Sequence, residues 1–112
     1  MAFNVVATDQ HTNRSSVFMI TITSDSAGVL ILPTDALGRQ SQIQQGYNFQ
    51  STIGVTVDFT LAAPHDAQHN PSSVPWDNVG TANATILEAP GKSPTAIRFT
   101  FAGAGVLYVN CM

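Results

Sequence analysis

Apolar side chains recur at every second position along several segments of this chain, and this alternation favours β-structure over helix. The clearest segment is residues 53–61, whose apolar residues are Ile53, Val55, Val57, Phe59 and Leu61. Successive side chains of an extended strand point to opposite faces, so the pattern predicts a half-buried antiparallel strand with Phe59 in the core. Residues 16–23 alternate in the same way and are rich in β-branched side chains, which favour strands.

A turn signal follows the second of these segments. The four residues from Asp25 to Gly28 suit a type I turn, which predicts a hairpin from residues 16–23 into residues 29–32. Pro33 lacks a backbone N–H, so it ends that strand or places it on a sheet edge.

Two stretches lack a regular pattern. Residues 34–50 are polar and Gln-rich and predict a loop with one weak strand, whereas residues 62–78 contain Pro64, Pro71 and Pro75 and predict a long surface excursion. Trp76 is expected to anchor the end of that excursion by packing onto the sheet. The patterns together indicate about seven or eight short strands and predict a single all-β domain over residues 1–112. We expect a jelly-roll-like antiparallel β-sandwich, with an immunoglobulin-like sandwich as the alternative.

A second hairpin is predicted in the last third of the chain, from residues 96–101 into residues 106–111. Pairing across its four-residue loop (102–105) gives one face an aromatic ladder and places Leu107 and Val109 on the other. A strand that is apolar on both faces is usually covered on both. Leu107 and Val109 are therefore candidate interface residues, with the Pro-rich excursion as the alternative cover.

The N-terminus offers further candidate contact residues. Phe3, Val5 and Val6 precede a more polar stretch, so residues 1–13 form either a candidate N-terminal arm along a partner or an ordinary first strand. The Pro-rich excursion around residues 65–75 is a third candidate contact surface.

Charge is unusually scarce. Charged residues make up 10% of the 112 residues, and the net charge is −3, whereas a typical soluble domain is roughly 25% charged. Without a basic patch we expect no nucleic-acid partner.

No apolar run approaches the roughly 20 residues of a membrane span, and no signal-peptide pattern begins the chain, so we expect synthesis in a cytoplasm and no membrane partner. The single cysteine, Cys111, cannot form an internal disulfide.

No arrangement of side chains points to catalysis. His65 and His69 have the i, i+4 spacing of a chelating helix, but the flanking prolines leave barely two turns and no third strong ligand follows, so they are interpreted as polar loop residues. The acids Asp58, Asp77 and Glu88 show no defined separation for glycoside hydrolysis. We therefore expect neither an enzyme nor a metal or other cofactor.

Three aromatic residues allow one binding alternative. Trp76, Tyr47 and Tyr108 either belong to the core or stack on a sugar, as in β-sandwich carbohydrate-binding modules.

The second half of the chain resembles a group of small tailed-phage virion proteins. The likeness lies in a strand, a polar loop ending in a tryptophan, and a closing hairpin with an arginine in its first strand, at residues 55–61, 76–79, 83–85 and 96–109. It is similar to the capsid decoration, or cement or staple, proteins of epsilon-fifteen-like short-tailed phages.

The resemblance implies a jelly-roll subunit on the outer capsid surface that clamps neighbouring major capsid proteins of the same virus and has no catalytic activity. The expected self-association is a homodimer, with a homotrimer on a capsid threefold axis as the alternative. Another phage virion β-domain, such as a tail or head-fibre module, and a carbohydrate-binding module remain the competing interpretations.

Overall fold

Nine strands and one α-helix form within the residues that the structure, a computed structural model, describes: 5–11, 16–22, 27–34 and 46–111. The helix is α1 (Pro64–His69), followed by a 3-10 helix at Pro71–Ser73. The strands are β1 (Val5–His11), β2 (Ser16–Ile22), β3 (Gly28–Pro33), β4 (Gly46–Ser51), β5 (Val55–Thr60), β6 (Asp77–Ala82), β7 (Leu87–Pro90), β8 (Ala96–Phe101) and β9 (Gly105–Cys111).

The strands form two antiparallel sheets, a five-stranded sheet in the order β1-β2-β9-β4-β7 and a four-stranded sheet in the order β3-β8-β5-β6. β2 pairs with β9, β3 with β8, β4 with β7 and β5 with β6. These are the pairs of one long hairpin folded over on itself, which is the strand order of a jelly roll, with β1 added at one edge. The predicted jelly-roll-like sandwich is confirmed, and the immunoglobulin-like alternative, which has a different strand order, is wrong.

Aromatic rings from both sheets meet between them. Tyr47 and Phe49 of β4 lie on the inner face of the five-stranded sheet, and their ring centroids lie 5.6 Å and 6.1 Å from that of Phe59 on β5. Phe49 also meets Phe99 of β8 edge to face at 5.8 Å. Phe59 is 4% exposed, as the alternation predicted. Tyr47 is 1% exposed, so it is a core residue and the sugar-stacking alternative is wrong for it.

Both predicted hairpins are instead crossings between the sheets. β2 and β9 belong to the five-stranded sheet, whereas β3 and β8 belong to the four-stranded one. β2 and β3 therefore lie in different sheets, and the loop between β8 and β9 passes from one layer to the other. β3 ends at Pro33 and is the edge strand of the four-stranded sheet, as the missing N–H of Pro33 predicted.

The Pro-rich excursion contains a helix that the alternation did not predict. Pro64 opens α1, where a missing N–H removes no helical hydrogen bond. Ala67 is the buried residue of α1. The side-chain Nε2 of Gln68 donates a hydrogen bond to the carbonyl oxygen of Ile31 at 3.2 Å. This bond covers part of the free edge of β3, which would otherwise offer its backbone to another strand. No helix in the described ranges is long and apolar enough to cross a membrane.

Candidate functional site

The outer face of the five-stranded sheet carries uncharged polar and apolar side chains on β2, β4 and β9. The register places these outward residues in adjacent rows, because Tyr108 pairs with both Met19 and Gln50, and Asn110 pairs with Asn48. We call this surface the amide face, and its members are Met19, Thr21, Asn48, Gln50, Val106, Tyr108 and Asn110. Glu88 of β7, which pairs with Asn48, is the charged residue at its rim.

A depression of about 240 Å³ lies within the amide face, and its lining residues are Asn48, Phe49, Gln50, Ile86, Tyr108 and Asn110. Ile86 and Tyr108 are 54% and 38% exposed, which is high for an aliphatic and an aromatic residue. The Oδ1 atom of Asn110 is buried yet accepts no hydrogen bond from the described residues.

Charges on the rest of the described surface are largely neutralised in pairs. Asp58 of β5 and Arg98 of β8 are cross-strand partners, and Arg98 reaches Asp58 Oδ2 with Nε and Nη2, both at 3.0 Å. Asn78 Nδ2 donates to the other oxygen, Asp58 Oδ1, at 2.9 Å. This network lies on the outer face of the four-stranded sheet, away from the amide face.

Trp76 extends that network and fixes the end of the Pro-rich excursion. The Arg98 guanidinium carbon lies 4.5 Å from the centre of the Trp76 ring, within cation–π range. The Trp76 Nε1 donates to the carbonyl oxygen of Pro71 at 2.9 Å. The excursion thus covers the outer face of β8, and Trp76 anchors it there as expected.

A groove of about 500 Å³ opens beside Trp76, at the point where β5 ends. Leu61 and Pro75 line it together with the Trp76 ring, and Asp77 and Lys92 stand on its polar side as an ion pair at 3.2 Å. Phe59, Thr60 and Ser93 complete the lining. We call this the Trp76 groove.

Two of the predicted interface residues lie in the core. Leu107 and Val109 are both 0% exposed and face the four-stranded sheet, so their assignment to an exposed face is wrong. The error came from the predicted hairpin: β9 pairs with β2 and β4 and not with β8, so its outward side chains are Val106, Tyr108 and Asn110.

The N-terminal candidates fall at the limit of the described residues. In β1, Val5 pairs with Ile22 and Val6 with Thr21, at the edge of the five-stranded sheet. Phe3 lies outside the described residues. β1 is thus a strand of the sheet, and the contact role of Phe3, Val5 and Val6 stays a prediction.

His65 and His69 lie on α1 and not in a loop, with ring centroids 4.4 Å apart. Their placement corrects the loop prediction, because α1 forms despite its length of six residues. Across the described ranges, no group of three or more His, Cys, Asp or Glu side chains is arranged to hold a metal ion.

The sequence reasoning missed the Asp58–Arg98 pair and the Asp77–Lys92 pair. A signal for the first was present, since Asp58 and Arg98 are isolated charges within otherwise apolar strands. A charge at a half-buried strand position needs an opposite charge nearby. The second pair joins β6 to the β7–β8 loop, and no local pattern predicts such a contact.

Comparison with known proteins does not assign this chain to a family. No family model matches the chain, and no curated protein matches it. Among solved structures, two mutants of the family 29 carbohydrate-binding module CBM29-2 align with 97% of this chain and 78% of their own, at 10% identity and TM-scores of 0.35 and 0.37. A likeness at this level supports no functional assignment, and the fold assignment above rests on the strand order.

Proposed function

We propose that this protein is a structural virion protein that binds the outside of a phage capsid and clamps neighbouring major capsid proteins. The observation that carries the proposal is the amide face, an outer sheet surface whose seven side chains are all uncharged and include Tyr108, which is 38% exposed. The resemblance in the second half of the chain is its other support.

The free energy of desolvation favours docking through this face. Burying an unpaired charged group costs several kcal/mol, and the amide face carries none on Met19, Thr21, Asn48, Gln50, Val106, Tyr108 or Asn110. Amide and hydroxyl groups can replace hydrogen bonds to water with hydrogen bonds to a partner.

A clamp stabilises a shell because it binds the assembled lattice and not its free subunits. At a free concentration a hundred times Kd, one site contributes about 2.7 kcal/mol. A homodimer, or a homotrimer at a threefold axis, would contact several capsomers and gain further through effective concentration. On this proposal the protein is located at the outer surface of the virion.

The test is to mix the purified protein with expanded empty capsids and measure the bound fraction by sedimentation. We expect saturable, stoichiometric binding. Tyr108→Asp places a charge in the amide face and is expected to weaken binding at least about tenfold, or 1.4 kcal/mol, with the Tm unchanged. Val29→Asp, at an apolar residue 49% exposed on the four-stranded sheet, is the matched control and should bind normally.

Absence of saturable binding would refute the proposed function. Equal weakening by Tyr108→Asp and Val29→Asp would refute the assignment to the amide face.

A further inference from the structure

The Trp76 groove is a second built surface, separate from the amide face. It lies at the end of β5 beside the four-stranded sheet, and its volume of about 500 Å³ is in the range of small-molecule sites, roughly 300–1,000 Å³. A ligand there would not compete with a partner on the five-stranded sheet.

One side of the groove is an exposed apolar platform. Leu61 is 78% exposed, the highest value among the large hydrophobic residues described, and it lines the groove together with Pro75 and Trp76. The Trp76 ring is already held by its bond to Pro71 and by the Arg98 guanidinium. A ligand that packs on this ring therefore loses little free energy to ordering the protein.

The other side presents one acceptor and one donor next to each other. The side chains of Asp77 and Lys92 are 70% and 49% exposed, so their ion pair contributes little to stability. The pair instead places a carboxylate and an ammonium group at the edge of an apolar platform.

These two sides define the chemistry of a ligand. A purely apolar ligand would remove water from the ion pair without supplying hydrogen bonds in its place. An anionic ligand would be repelled by the Asp77 carboxylate, and a cationic ligand would be repelled by the Lys92 ammonium group. A neutral saccharide fits, because its hydroxyl groups both donate and accept and its ring has a C–H face that can pack on an aromatic ring. Adjacent hydroxyls match an adjacent carboxylate and ammonium.

We propose that the Trp76 groove binds a neutral saccharide, with one sugar ring packed on Trp76 and its hydroxyl groups hydrogen-bonded to Asp77 and Lys92. Phe59, Thr60 and Ser93 line the rest of the groove. This site does not depend on capsid binding, so either proposal can fail without the other.

The fluorescence of the chain tests the proposal directly, because Trp76 is its single tryptophan. The probes are neutral hexasaccharides of glucose, mannose, galactose and xylose, titrated to roughly 10 mM, a limit that detects Kd values in the millimolar range. We expect at least one probe to shift the Trp76 emission saturably. Sorbitol, which has hydroxyl groups but no ring, should give no saturable shift.

Variants of the polar side of the Trp76 groove test whether the saccharide binds there. Asp77→Asn and Lys92→Gln change exposed side chains and should each weaken the binding probe at least about fivefold, or 1 kcal/mol, with the Tm unchanged. Tyr108→Ala on the amide face is the matched aromatic control and should leave saccharide affinity unchanged. No saturable shift with any hexasaccharide, an equal shift with sorbitol, or binding that survives both polar-side variants would overturn the proposal.

Discussion

Replacing Arg98 with methionine tests the reasoning about buried charge most sharply. Asp58 is 6% exposed and its carboxylate is held by Arg98 and by Asn78. Arg98→Met keeps most of the side-chain volume but removes the cation, and breaking a buried pair from one side costs about 3–5 kcal/mol. We expect the lower end, about 3 kcal/mol, since Asn78 still donates to Asp58.

The free energy of unfolding should be measured by urea denaturation followed by far-UV circular dichroism, because Arg98 contacts the Trp76 ring and would alter its fluorescence. A loss of about 3 kcal/mol corresponds to a fall in Tm of about 12–20 °C for a domain near this size. The matched control is the double variant Asp58→Leu with Arg98→Met, which removes both charges.

The double variant is expected to recover most of the loss, because replacing a whole buried pair with apolar groups is often close to neutral. Stability of Arg98→Met within about 0.5 kcal/mol of the unmodified protein would refute the reasoning. A double variant as unstable as the single one would show that the loss comes from packing under Trp76 and not from the unpaired carboxylate.

Three further predictions follow from burial and backbone geometry. Phe59→Ala should lower the free energy of unfolding by about 3–5 kcal/mol, because it removes a ring packed between both sheets; chemical denaturation measures it, and a loss under about 1 kcal/mol would contradict the core assignment. Val109→Asp should abolish folding, seen as loss of the β-sheet circular dichroism signal, and a folded variant would contradict the burial of Val109. Gly46→Ala should cost more than about 1 kcal/mol, because Gly46 has φ +133° and an added Cβ would lie 2.5 Å from the Ala89 carbonyl oxygen; an unchanged denaturation midpoint would contradict that geometry.

The alternation of the sequence predicted β2, β3, β5, β8 and β9 but neither β6 nor the partners of the strands. β5 was predicted from Val55, Val57 and Phe59, which all point into the core. The polar stretch before it was expected to hold only a weak strand, yet β4 lies inside the five-stranded sheet and buries Tyr47 and Phe49. Their spacing of two residues was the available signal.

Strand pairing could not be predicted because a jelly roll places most consecutive strands in different sheets. The segment between Phe101 and Gly105 is short enough for a hairpin, but it crosses between layers. Whether Leu107 or Tyr108 faces the core depends on which side of β9 the opposite sheet packs against. The alternation along β9 carries no information about that packing. The same limitation concealed the contact of Trp76 with Arg98, which joins residues far apart in the chain.

The decisive measurement is a cryo-electron microscopy map of expanded capsids saturated with the purified protein. We predict jelly-roll density on the outside of the shell, with β2, β9 and β4 facing the major capsid protein and Tyr108 in the contact. A shell without added density at saturating protein would contradict the proposed function. Density that contacts the shell only through the four-stranded sheet would contradict the role of the amide face.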